Sequence, residues 1–396
     1  MRLIRFSYSD TMGKTVFPAP PLHLHAMSRF LLASLCLSLL ATGARAATYH
    51  VGPERADKTL GAVLPRLEAG DVVEVDGGNY HETARLAMQG TREKPIIIRG
   101  VGPTRAVFDA DGLDTEGRGH VPRGVFQIEG AYISLEHLEF RGARNGQNAA
   151  GVRLLDSTNA TIRDCVVSHC DMGIFGGDTQ TALIEDCEIF ENGTDKFNGG
   201  SHNFYMQGNR VVVRRCYIHD ALFGQNFKSR AHSNELWWNW ITNSQEGEIG
   251  LVDAAGITDK PHSNTLLVGN VISSRPERAG NNQKFVLFGS ESGSSHDGTL
   301  FMFRNTCIAG SKRIAFVNLS DAKARAVISG NAFVGSPTLL VTPQTPLSVL
   351  AAHNLLPTGT ALPPNWTNTP LPTMQYEDGE GAIHTVKMDE GQVAPR

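Results

Sequence analysis

Asn203-Phe-Tyr-Met206 leads to Val213-Arg-Arg-Cys216, and Asn226-Phe-Lys-Ser-Arg230 leads to Leu236-Trp-Trp-Asn239, so that residues 203–239 hold two copies of one unit. Each copy has an early and a later extended piece. Side chains of an extended chain alternate between faces, so Phe204 and Met206 pointing inward send Asn203 and Tyr205 outward. By the same parity, inward Phe227 and Ser229 send Asn226, Lys228 and Arg230 outward. A third copy, Gly247-Glu-Ile-Gly-Leu251, sends Glu248 the same way, in one column with Asn203 and Asn226. The outer face then reads Asn, Asn, Glu beside Tyr and Lys.

The later piece recurs along the chain as Leu135–Leu138, Ile162–Cys165, Ile184–Cys187, Val213–Cys216, Leu236–Asn239, Leu267–Asn270, Met302–Asn305 and Ile328–Asn331, at spacings of 22 to 35 residues. Periods of this size mean stacked coils. The repeated unit alternates with period two and has no helical stripe between copies, which argues for an all-β parallel β-helix over leucine-rich or ankyrin repeats. The last position changes from Cys to Asn on the way. Identical inward amides stacked at the strand spacing bond to one another, so the Asn run is read as a structural ladder. Trp237, Trp238 and Trp240 offer either a sugar-stacking surface or packing under a loop.

Composition suits this architecture: 41 Gly and 7% aromatic residues favour many short strands and tight turns. A repeat fold also lets 396 residues form one long domain, because each coil touches only its neighbours. Met27-Ser-Arg29, the apolar run Phe30–Leu40 and Ala44-Arg-Ala46 read as a secretory signal preceded by an upstream extension, placing the protein outside the cytoplasm, secreted or periplasmic. The run is shorter than the ~20 apolar residues a membrane span needs. Removing residues 1–46 takes away five Lys/Arg and one Asp and moves the formal charge from -4 to -8. An acidic exported chain is a poor ligand for nucleic acid.

The mature chain starts with a cap, in which Leu60–Leu67 is expected as a short amphipathic helix over the first open rung. Residues 47–336 form the β-helix, and 337–396 a terminal cap strand and a loosely ordered tail. Cys36 lies in the signal; Cys165, Cys170, Cys187, Cys216 and Cys307 remain, without zinc spacing, and are expected as buried thiols with one disulfide at most. The chain is expected to act as a monomer.

The outward cluster has a chemistry. A uronic-acid polysaccharide carries a carboxylate beside an abstractable C5 proton, and β-elimination needs a group that neutralises the carboxylate, a base and an acid. Lys228 is the expected base, with Arg230 holding the carboxylate. Asn203, Asn226 and Glu248 offer hard oxygen ligands suited to Ca2+, and Tyr205 or His219 can protonate the leaving group. The bland alternative is a surface ion pair of Lys228, Arg230 and Glu248 on a solvated face. Hydrolysis by paired carboxylates is not favoured, because no tight Asp/Asp grouping occurs among the outward positions. Asp164, Asp171 and Asp186 read as turn and edge charges.

The pieces His202-Asn-Phe-Tyr-Met206, Gly224-Gln-Asn-Phe-Lys-Ser-Arg-Ala231, Gly247–Leu251 and Gly289-Ser-Glu-Ser-Gly-Ser-Ser-His296 resemble a group of exported bacterial right-handed parallel β-helix proteins of largely unassigned activity. The likeness runs from about residue 48 to 336, and Lys-Ser-Arg-Ala is its most distinctive part. It implies a right-handed coil and places Glu291 and His296 at the edge of the groove, a Gly/Ser-rich turn being the plainer account of that piece, with His202 among the substrate-binding residues. More distantly, the Lys-Ser pair is similar to the alginate and chondroitin lyases of polysaccharide lyase family six, whose Lys base corresponds to Lys228. That family implies an Arg acid and calcium. Its acidic calcium ligands precede the Lys by one rung, whereas Glu248 follows it; its Arg comes from a later coil, whereas Arg230 is on the same strand. The closer group has Glu-x-Asp where this chain has Glu248-Ile-Gly250, so a second carboxylate is missing. The resulting expectation is a lyase for an acidic polysaccharide, with a C5 epimerase or a non-catalytic glycan-binding or envelope-assembly protein as alternatives.

Overall fold

The computed structural model describes residues 46–197, 200–274, 284–310, 315–336, 338–357 and 360, together with the backbone of two short strands at Met374–Glu377 and Ile383–Val386. The signal expected over 1–46 therefore lies, apart from Ala46, outside the described residues, as does most of the tail. The described chain belongs to one unit, Ala46–Arg396.

Parallel strands wind into a right-handed solenoid of about 11 turns with three faces. The first face stacks Gly124–Ile128, Ala150–Leu155, Met172–Gly177, the starts of Phe204–Arg214 and Phe227–Trp237, then Ile249–Val252, Lys284–Gly289 and Ala315–Leu319. Those two long strands bend and continue into the second face, beside Thr179–Glu185 and Thr265–Val268. The third face holds Glu188–Phe190, Tyr217–His219, Trp240–Thr242 and Val271–Ser273.

Period-two alternation is what closes the coil. Val152, Ile174, Phe204, Phe227, Ile249, Val286 and Val317 all point into the interior and are almost fully buried. Phe204 stacks on Phe227 with ring centroids 4.6 Å apart. Each such side chain contributes roughly 1.5–3 kcal/mol of burial. The second face has an additional apolar layer on its outer side, formed by Val212, Trp237, Leu266, Val268, Phe301, Phe303 and Val327. Trp237 belongs to that layer. Trp238 stands at a corner over Gly269, and Trp240 lies against Tyr217 with centroids 4.8 Å apart.

Each corner between the second and third faces uses one residue in the left-handed region followed by the ladder residue, as in Asp186 then Cys187, Arg215 then Cys216, and Trp238 then Asn239. Left-handed backbone costs a non-Gly residue roughly 1–2 kcal/mol. The ladder offsets it: Asn239 donates to Asn270, Asn270 to Asn305 and Asn305 to Asn331, each at 2.9 Å, and Asn331 to Asn354 at 3.0 Å. The coil thus runs past residue 336, since Ser348–Ala352 pairs with Arg325–Ser329.

Two expectations are corrected. Leu60–Leu67 is not a helix but two successive 3-10 turns, Leu60–Ala62 and Leu64–Arg66. Pro65 would sit inside a helix of that span, lacking its N–H and crowding the carbonyl four residues back. Leu60 and Val63 still bury into the first rungs. All five described cysteines are free thiols, and the allowed disulfide is not formed.

Candidate active site

Parity on the first face delivers Lys228 and Arg230 to the same outer surface, two residues apart on one strand, while Phe227 and Ser229 between and before them are buried. Tyr205 is the Cα partner of Lys228 on the preceding rung. Lys228 Nζ lies 2.9 Å from Glu291 Oε2 and 3.1 Å from Oε1. Arg230 Nη2 donates to the same Oε2 at 2.7 Å, its Nε donates to the Tyr205 hydroxyl at 2.8 Å, and its Nη1 donates to the Asp253 carbonyl. One carboxylate and one phenol therefore fix two cations, and Lys228 is left only 9% exposed.

Glu291 is held there by Asp253, a residue that sequence reasoning missed. The buried Asp253 carboxylate accepts the backbone N–H groups of Glu291 at 2.5 Å, Ser292 at 2.8 Å and Ser294 at 2.6 Å. Burial pushes this carboxyl up, but the three N–H donors outweigh it and hold it below the usual carboxylate range. The Gly/Ser-rich turn thus has a defined anchor, with Gly293 in the left-handed region. The signal available in the sequence was an Asp directly after the apolar strand Ile249–Val252.

Behind Lys228 sit His202, expected among the substrate-binding residues, and Gln225, a second residue that sequence reasoning missed. His202 and Gln225 are each 1% exposed, and the Gln225 backbone N–H donates to His202 Nδ1 at 3.0 Å. An accepting Nδ1 leaves the proton on Nε2. Burial first, then the nearby charges of Lys228 and Arg230, drive the His202 pKa well below its ordinary value, so the ring is neutral. Two glycines make room for the pair: a Cβ on Gly224 would fall 2.5 Å from His202 Nδ1, and one on Gly250 2.4 Å from Gln225 Oε1. His202 packs edge-on to Tyr205, with centroids 5.4 Å apart. It supports Tyr205 from beneath and is itself shut off from the surface.

Three further expectations change. Asn203, Asn226 and Glu248 do form one column, but it faces the interior and is fully buried. Asn203 Nδ2 donates to Asn226 Oδ1 at 2.8 Å, and Asn226 Nδ2 to Glu248 Oε2 at 2.7 Å. Asn203 Oδ1 accepts from Asn192, and the Glu248 oxygens accept the Ser244 N–H at 3.3 Å. Each of these residues precedes the first strand residue, on the bend, where strand parity does not operate. With their oxygens committed to a ladder, they do not fit a calcium ion bound in the groove. Among the described residues no group of three or more His, Cys, Asp and Glu is arranged to hold a metal.

His219 lies on the third face, one corner away from Lys228. Its Nδ1 is 2.7 Å from Asp220 and its Nε2 3.3 Å from Glu188, and its ring stacks between Tyr217 and Phe190. His296 is buried under the turn, with Nε2 3.1 Å from the Ser263 carbonyl and its ring against Phe288. Of the expected residues, the structure therefore brings together Tyr205, Lys228, Arg230 and Glu291 at the surface.

The family described as "Right handed beta helix region" matches residues 121–272. No curated protein sequence matches the chain. Among solved structures, a rhamnogalacturonan lyase is similar over 76% of this chain and 84% of its own, with 15% identity and a TM-score of 0.54. A glycoside hydrolase is similar over 78% of this chain and 96% of its own, with 9% identity and a TM-score of 0.56. An alginate lyase from Paenibacillus sp. str. FPU-7 covers 78% of this chain and 95% of its own, with 15% identity and a TM-score of 0.44. At these identities the likeness shows the fold, a right-handed parallel β-helix.

Proposed function

We propose that the protein is exported and acts, as a single chain, on an acidic polysaccharide, cleaving uronate linkages by β-elimination. One observation carries this reading: Lys228 and Arg230 converge on the carboxylate of Glu291, beside the Tyr205 hydroxyl, on the outer face of a β-helix. Glu291 occupies the seat that a uronate carboxylate would take. The fold similarity to a rhamnogalacturonan lyase and a glycoside hydrolase supports a glycan as the ligand.

The chain's own residues divide the work. Arg230 holds the substrate carboxylate, and its charge stabilises the electron density that builds on C5 and the carboxylate as the proton leaves. Lys228 Nζ takes the C5 proton. The electron pair released forms the C4–C5 double bond, and the C4–O bond breaks. The leaving oxygen takes its proton from Tyr205, whose oxygen accepts from Arg230 Nε and whose own O–H is the donor this step needs. Tyr205 is preferred to His219 for this step because His219 lies on another face. The calcium ligands expected from the sequence do not fit, and no step is assigned to a metal.

A C5 epimerase would share the first proton transfer, and a binding protein would use the cations without turnover. Incubating the mature protein with alginate, pectate and glycosaminoglycans separates them. A lyase yields an unsaturated, ultraviolet-absorbing product; an epimerase changes the uronate composition without cleavage; a binder does neither.

A further inference from the structure

Gln127, Arg153, Phe175, Tyr205 and Lys228 are Cα partners on successive strands, so they form one unbroken outward column along the first face. The Arg153 guanidinium lies 4.6 Å from the Phe175 centroid, the Phe175 and Tyr205 rings meet edge-on at 5.4 Å, and Lys228 Nζ lies 5.8 Å from the Tyr205 centroid. The order along the solenoid is cation, ring, ring, cation. Three strand spacings of ~4.8 Å separate the ends, roughly 14 Å.

Among the described residues the far cation meets no carboxylate. Arg163, Arg210, Arg214 and Arg325 each meet a carboxylate. Among the described residues none reaches Arg153 or its neighbour Arg123. Arg153 donates only to the Asn148 carbonyl, at 3.4 Å, and Arg123 to Gln147 Oε1 at 3.0 Å, while Arg123 Nε is buried with no partner. Burial, and then the like charge of Arg123, pull the Arg153 pKa down to about 10. Two half-buried guanidiniums side by side are held at an electrostatic cost that an anion from outside relieves.

We propose that Arg123 and Arg153 form a second carboxylate-binding subsite, which grips an acidic group of the same glycan roughly 14 Å from the one at Lys228 and Arg230, with the intervening sugar rings lying on Phe175 and Tyr205. This rests on the glycan reading above and narrows it. The substrate is a linear polyanion whose acidic groups recur along the chain, rather than a neutral glycan carrying a lone uronate.

The test is calorimetric binding of disaccharides and hexasaccharides of uronate to the mature wild-type chain and to an Arg123→Gln/Arg153→Met variant, which keeps packing over Phe175 but removes both charges. The hexasaccharide is expected to bind the variant roughly ten- to a hundredfold more weakly, with disaccharide affinity unchanged. Equal hexasaccharide affinity overturns the subsite. Should the variant not fold, wild-type protein is titrated with a hexasaccharide esterified at every carboxylate but one; affinity equal to that of the fully acidic oligomer overturns it too. Binding without cleavage would remove the lyase reading and leave the subsite standing. Unsaturated product formed by a variant that binds long oligomers normally would do the reverse.

Discussion

Lys228 Nζ and Glu291 Oε2 lie 2.9 Å apart although 63 residues separate the two in the chain. The same carboxylate oxygen takes Arg230 Nη2 at 2.7 Å. A carboxylate of the protein thus sits where a carboxylate of the substrate is proposed to bind, and the two compete. Glu291→Gln removes the competing charge and is expected to lower KM for an acidic polysaccharide severalfold. Initial rates over a range of substrate concentrations measure this, and a raised KM would mean that Glu291 binds substrate instead of standing in for it.

The buried column Asn203, Asn226, Glu248 yields a stability prediction and an activity prediction. Asn226→Ala leaves Asn203 Nδ2 and the Glu248 carboxylate each short of a partner, at a cost of about 1–3 kcal/mol. Denaturant unfolding reads that loss. Because these oxygens are committed within the wall, chelation is expected to leave the rate unchanged. Loss of activity in EDTA with recovery on added calcium would contradict this and require ligands elsewhere.

His296 gives the pH dependence of folding. Burial lowers its pKa from 6.5 to about 4 in the folded protein. The unfolded chain therefore binds the extra proton first as pH falls, so the stabilising contribution is complete above 6.5 and is lost progressively down to about 4. A shift of this size corresponds to about 3 kcal/mol. His202, shifted the same way by burial, adds to the same trend, and Asp253, held below the carboxylate range, extends it further into acid. Unfolding free energies measured between neutral pH and pH 4 should fall for wild type and fall less for His296→Phe. Parallel curves would show that the ring is not what titrates.

The five thiols are buried, and burial raises Cys170 to about 12 and Cys307 further still. A thiol reagent is expected to label none of them at neutral pH until denaturant unfolds the coil, as mass spectrometry would reveal. Rapid labelling of the native protein would mean that the wall opens locally.

Strand parity made part of this legible beforehand. Tyr205, Lys228 and Arg230 were placeable from the sequence because they lie within strands, where alternation holds without interruption. Asn203, Asn226 and Glu248 escape that parity because each stands one residue before its strand, on a bend that turns its side chain inward. His219 is near Lys228 along the chain, yet a corner puts it on another face. Asp253 left one trace, an Asp directly after the apolar strand Ile249–Val252; Gln225 and the Arg123–Arg153 pair depend on which rung meets which. That is set by loops of unequal length and leaves no local pattern. The helix expected at Leu60–Leu67 failed on one residue, Pro65.

The central claim is that Lys228 acts as a base and not merely as a positive charge. Lys228→Arg tests it most directly, because an arginine keeps the charge facing Glu291 but cannot be deprotonated in a protein. The formation of unsaturated product is expected to fall at least ~100-fold in this variant while acidic polysaccharide still binds. A variant that cleaves at the wild-type rate would contradict the account.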